Sequence, residues 1–164
     1  MIEPKAVVAV SDAGDAVGGA PRLALKRLHP RAAFPAYQSA GSAGMDLSAC
    51  IDSDVTLLPG QIVLVPTGWA VAIPPGFEGQ VRPRSGLATK FGVTVPNAPG
   101  TIDSDYRGEL KVALINLGRG EFVVTPGMRV AQLVIAPVAQ AVIAEVDELT
   151  ATQRGGGGFG STGV

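Results

Sequence analysis

The sequence predicts an all-β protein, a jelly-roll-like or related Greek-key barrel with one short helix. Three observations lead there. Gly (22) and Pro (13) make up about a fifth of the 164 residues, and both break helix interiors. Short apolar runs alternate with Gly, Pro and Asp turns at intervals of roughly 8–12 residues. Only the stretch 85–91 has a helical pattern. Hydrophobic residues reach 46% against 16% charged, enough to fill a core, and the length suits one domain.

Taken in order, residues 1–21 are rich in Ala, Gly, Val and Asp, with Gly18 and Gly19 ahead of Pro21. They read as a loosely ordered arm with strand character at 7–10. Leu23, Leu25 and Leu28 open the barrel and lead into a Pro-rich loop. The run 55–58 stops at Pro59 and Gly60, a turn signal. The run 62–73 is β-branched, is interrupted at Pro66 and Gly68, and ends at Pro74, Pro75 and Gly76. Extended runs follow at 77–82, 93–95, 109–116, 121–125, 128–136 and 140–146, with the helix at 85–91. The barrel is thus predicted over 22–150, and a Gly-rich tail over 151–164.

Composition excludes several classes. A net charge of -1 leaves no broad basic field for nucleic acid, so a polyanion must be held by a local cluster. Cys50 is the sole cysteine, which forbids an intrachain disulfide and a thiolate zinc site; it reads as a small apolar filler. His29 is the sole histidine and has no nucleophile motif around it. The longest apolar stretches, such as 62–65 and 133–136, fall far short of the ~20 residues of a membrane span. Glu3, Asp12 and Asp15 break the opening residues, unlike a signal peptide. A soluble, cytoplasmic protein is predicted.

Five segments are odd for a plain barrel. In AGMDL (43–47), Asp46 sits where a core strand would rather have Val; alone, a turn aspartate explains it equally well. In PRSGLA (83–88), Ser85 starts the helix, whose free N–H groups attract anions, and Arg84 adds a charged fork; alone, a capping Ser with a solvated Arg suffices. In NAPGTIDSDYRGEL (97–110), Asp103 and Asp105 point the same way on an extended strand. Ile102 and Tyr106 flank them, which suggests a partly buried pocket in which a carboxylate takes a proton from water. A calcium loop would need more oxygen ligands. In GMRVAQL (127–133), Gln132 interrupts an apolar strand and needs partners if buried. In RGGGGFGSTG (154–163), the glycines allow close approach to phosphates, Arg154 supplies charge and Phe159 a ring; a frayed tail is the plainer reading of that composition. No Walker-type or dinucleotide-binding glycine pattern occurs.

In this order and spacing the five segments resemble the motifs of the homotrimeric dUTPase family, over residues 23–163. The resemblance implies hydrolysis of dUTP to dUMP and pyrophosphate with Mg2+, supplying dUMP for thymidylate synthesis and keeping uracil out of DNA. It puts the catalytic carboxylate at Asp103, activating the water that attacks the α-phosphorus. Asn97, the backbone of Thr101, Ile102 and Asp103, and Lys111 would line the base and sugar, with Tyr106 against the deoxyribose. Arg84, Ser85, Gly86 and Gln132 would hold the phosphates, and Asp46 would meet the metal through water, without a direct protein ligand. Arg154, Phe159, Gly160 and Ser161 would close the site from the tail of another subunit. Two alternatives remain: a dCTP deaminase of the same fold, and an inactive nucleotide-sensing module. The complete fifth motif argues against the first, and the retained Asp103 and tail against the second.

Overall fold

The computed structural model describes residues 19–158. In chain order its elements are β1 (Ala24–Arg27), β2 (Met45–Ser48), β3 (Val55–Leu57), β4 (Ile62–Ala72), β5 (Phe77–Pro83), α1 (Ser85–Phe91), β6 (Val93–Thr94), β7 (Gly100–Ile102), β8 (Glu109–Asn116), β9 (Phe122–Val124) and β10 (Arg129–Pro137). One sheet runs β1-β4-β8-β6, a second runs β2-β10-β5-β7, and β3 pairs with β9. Every pairing is antiparallel, and most sheet neighbours are distant in sequence, as in a jelly-roll-like barrel.

Alternation along the strands builds the core. In β8, Leu110, Val112, Leu114 and Asn116 are buried while Lys111, Ala113 and Ile115 lie towards the outside. Their inward faces meet Leu47, Leu57, Val65, Val81, Val130 and Leu133 in one cluster. Cutting any of these leucines to Ala costs about 2–5 kcal/mol. Asn116 is fully buried and satisfied. Its amide donates to the carbonyls of Leu57 and Gly120, each at 2.8 Å, and accepts the Gly118 N–H at 2.8 Å. It therefore ties β3 to β8 and to the turn beyond it.

The interruption at Pro66 and Gly68 is a shift in the β4–β8 register between Pro66 and Ala70. Gly68 has φ +73°, and a Cβ there would lie 2.9 Å from Cys50 Sγ, so this bend admits no side chain. Sole tryptophan Trp69 follows. Its indole donates to the Ala33 carbonyl at 2.8 Å, and Arg27 lies 4.3 Å above its ring.

Three expectations change. Residues 140–146 form no strand; Val142 is 97% and Ile143 95% exposed, and among the described residues no strand pairs with them. AGMDL contains a strand, β2, buried on both faces and so without the alternation that marks strands in sequence. Asp103 and Asp105, expected on an extended strand, lie past the end of β7, with Asp105 in a turn. The helix does start at Ser85, and Arg84 holds the cap position with no side-chain cap bond. The strand character at 7–10 concerns residues outside those described.

Candidate active site

The site has two halves. The first is the loop that carries the chain from β7 in the second sheet to β8 in the first. β7 is the outer strand of its sheet, so one edge of Gly100–Ile102 keeps its backbone donors and acceptors unpaired within the sheet. Asp103 follows directly and is exposed, as are Thr101, Tyr106 and Lys111. Leu64, Thr101, Ile102, Asp103, Tyr106 and Lys111 line a cavity of about 310 Å3 together with Glu109. The Tyr106 hydroxyl donates to the Glu109 carbonyl at 2.9 Å, which holds its ring across the loop. A Cβ on Gly108 would come within 2.7 Å of the Tyr106 ring carbon Cζ, so this glycine lets the ring fold over the backbone. Asn97 packs at the start of β7, its Nδ2 3.1 Å from where a Gly100 Cβ would stand. Asp103 also borders a second hollow of about 550 Å3 on the side of Glu78 and Asp105.

The second half lies where β2, β10 and the β5–α1 junction meet. Asp46 is 5% exposed, and its carboxylate accepts from Arg129 Nη1 at 2.9 Å and Gln132 Nε2 at 3.1 Å. Arg84 Nε stands 3.5 Å from Asp46 Oδ1. The register opposes Gln132 to Asp46 on one side and to Arg82 on the other, which places these groups side by side. Arg84 also donates to the Arg129 carbonyl at 3.0 Å. Ser85 and Gly86 open α1 beside this cluster, exposed and with no acidic residue in the first turn. The result is a cationic rim of two guanidiniums fixed on one buried carboxylate, suited to an anion with several charges. Arg129 escaped notice in the sequence; its place three residues before Gln132, at a strand start, was the available signal.

The halves are well separated. Ile102 pairs with Gly79, so Asp103 lies level with Glu78. Arg84 follows the end of β5, six residues past Glu78, about 20 Å of extended chain at ~3.4 Å per residue. The structure therefore gathers Thr101, Ile102, Asp103, Tyr106 and Lys111 at one place, and Asp46, Arg84, Ser85, Gly86 and Gln132 at another. Arg154 joins neither; it is exposed and donates to the Gly157 carbonyl at 2.7 Å within its own turn. Phe159, Gly160 and Ser161 lie outside the described residues. Among the described residues no cluster of three or more His, Cys, Asp or Glu is arranged to hold a metal, and no helix is long and apolar enough to cross a membrane.

A β-barrel with a carboxylate beside an open strand edge, and a separate polyanion clamp, is the equipment of a phosphoanhydride hydrolase. The comparisons name the kind. The family model dUTPase matches residues 31–163. The deoxyuridine 5'-triphosphate nucleotidohydrolase of Desulfotalea psychrophila is 64% identical over 131 residues, covering 80% of this chain and 87% of that protein. That of Syntrophotalea carbinolica is 60% identical over 141 residues, covering 86% and 96%. Among solved structures, the Staphylococcus bacteriophage 80alpha dUTPase with dUPNHPP superposes with a TM-score of 0.80 at 28% identity, covering 87% of this chain and 99% of that one. A mutant dUTPase of phage phi11 of S. aureus, described with a structural Mg(II) ion, shares the fold at 24% identity and a TM-score of 0.72, covering 79% and 99%. The chain belongs to the dUTPase family.

Proposed function

We infer that the chain is a dUTP diphosphatase, hydrolysing dUTP to dUMP and pyrophosphate. The observation that carries this reading is the loop cavity, where Asp103 borders the same space as Tyr106 and Lys111, beside an open strand edge. That edge offers a backbone donor and an acceptor between Thr101 and Asp103, a pattern that suits uracil and mismatches cytosine. Asn97 and Lys111 complete the base and sugar wall. Tyr106, tied down by its hydroxyl, stands against the deoxyribose and leaves no room for a 2′-hydroxyl.

With the base in this slot, Asp103 accepts a proton from a water molecule. The water oxygen bonds to the α-phosphorus as the bond to the bridging α–β oxygen breaks, and pyrophosphate leaves. Such base assistance is worth about 10²–10⁴ in rate. Arg84, Gln132 and the N–H groups of Ser85 and Gly86 hold the phosphates in line for this attack. Asp46 is the one carboxylate of this half that would face, through water, a hard metal ion carried in on the phosphates, and such an ion would supply charge neutralisation there. Arg154, Phe159, Gly160 and Ser161 then cover the bound nucleotide.

We further propose that each site is assembled from several copies in a homotrimer. The span of about 20 Å between the Asp103 and Arg84 backbones is long for a triphosphate, which favours a site whose two ends come from different chains. Apolar side chains face outward on β4, with Ile62 62% and Leu64 59% exposed, and along the segment holding Val142 and Ile143. Such surface calls for cover by another copy.

Asp103→Asn tests the mechanism. The change preserves shape at an exposed position, so folding and nucleotide affinity stay near wild type while turnover falls by about 10²–10⁴. Pyrophosphate release on dUTP, read beside calorimetric binding of a non-hydrolysable analogue, decides it. Turnover near wild type would remove Asp103 from the reaction.

A further inference from the structure

We propose that Glu109 is a positioning residue for sugar discrimination, holding the loop that carries Tyr106 to a fixed point on β4. The inference rests on the assignment of Tyr106 to the deoxyribose. Glu109 makes contacts in three directions. Its backbone carbonyl accepts the Tyr106 hydroxyl at 2.9 Å. Its Oε1 accepts the Gly68 N–H at 2.9 Å. Its Oε2 lies 3.7 Å from Lys111 Nζ. The same residue lines the loop cavity.

The Gly68 contact matters because of what stands behind it. The β4 bend is held from several sides. Leu28 N–H donates to the Gly68 carbonyl and Cys50 N–H to the Pro66 carbonyl, each at 2.8 Å. The buried Thr67 hydroxyl donates to the Leu110 carbonyl at 2.6 Å. The space where a Gly68 Cβ would stand is filled by Ala32, Cys50 and His29. The bend is thus a rigid anchor, and the Gly68 N–H points at Glu109. In the loop before Glu109, Arg107 adds a bond to the Ser104 carbonyl at 2.7 Å. Glu109 pairs with Ala70 in the β4–β8 ladder, and its charge-assisted bond to Gly68 adds a second tie to β4 across the register shift, steadying the carbonyl on which Tyr106 rests.

The test compares Glu109→Ala, Glu109→Gln and Tyr106→Ala in the assembled enzyme, by the ratio of kcat/KM for dUTP to that for UTP and by hydrogen exchange at the Gly68 amide. Glu109→Ala should narrow the ratio about tenfold and speed Gly68 exchange. Glu109→Gln keeps an oxygen for the Gly68 N–H, so it should hold the ratio within about threefold with exchange still slow. If Glu109→Ala leaves the ratio intact while Tyr106→Ala narrows it, the positioning role is wrong and the sugar assignment stands. If neither changes it, the sugar assignment fails and takes this proposal with it. Equal loss in Glu109→Gln, with Gly68 still protected, would overturn the anchor by showing that the charge acts through Lys111. Should Glu109→Ala not fold, Glu109→Asp, one methylene too short to reach Gly68, takes its place with the same outcomes.

Discussion

Mixing two dead variants should regenerate a live enzyme. Asp103→Asn removes the base from one half-site, and Arg84→Ala removes a phosphate fork from the other. The strand register puts these positions about 20 Å apart along one chain, and the proposed trimer takes the Asp103 and the Arg84 of each site from different subunits. When the two variants are unfolded together in equal amounts and refolded, subunits combine at random. A given site then receives an intact Asp103 half the time and an intact Arg84 half the time. About a quarter of the sites are whole, and the mixture should show about a quarter of wild-type activity. Each variant refolded alone should show about 1% or less. The assay is pyrophosphate release from dUTP, with native mass spectrometry of a tagged partner to prove exchange. Proven exchange without recovery would place both groups in one chain's site and refute the argument from register.

Other outcomes concern stability and the tail. Asp46→Asn keeps an oxygen for Gln132 but surrenders the charge that faces Arg129 at 2.9 Å and Arg84 at 3.5 Å. A charged hydrogen bond is worth about 1.5–3 kcal/mol, and the half-exposed Arg129 lowers this to about 1–2 kcal/mol. Calorimetry should therefore show Tm falling by about 3–6 °C; an unchanged Tm would mean the guanidiniums do not depend on Asp46. Deleting residues 152–164 removes no strand and no core side chain among the described residues, so Tm should stay within about 1 °C while activity falls at least about tenfold. A large Tm loss would make the tail structural.

Strands with one wet face were readable from alternation, as β8 shows with Leu110, Val112 and Leu114 turned inward. α1 was readable to the residue because Ser85 opens it and Gly92 closes it in the left-handed conformation. β2 was not, since burial on both faces hides the period on which such readings depend. Residues 140–146 show the converse: their apolar pattern is real, yet Val142 and Ile143 stay exposed and no strand forms there. At the site, residue types pointed to anion and proton chemistry before any fold was known. Distance along β5 did not, because the separation of Asp103 from Arg84 follows from register, which pairs Ile102 with Gly79. Glu109 and Arg129 were hidden for a related reason. Their roles arise from partners far away in sequence, Gly68 and Asp46.

The buried Asp46 gives the resting enzyme a form of selectivity that does not involve the base at all. Two guanidiniums facing an empty cleft would draw in sulfate, inorganic phosphate or any stray monoester from the surrounding fluid. Here they already have a resident counter-ion, fixed at no entropic loss by the fold. A small anion must compete with it and gains little. Only an anion with several charges, spread over some length, has the means to outweigh that standing pair.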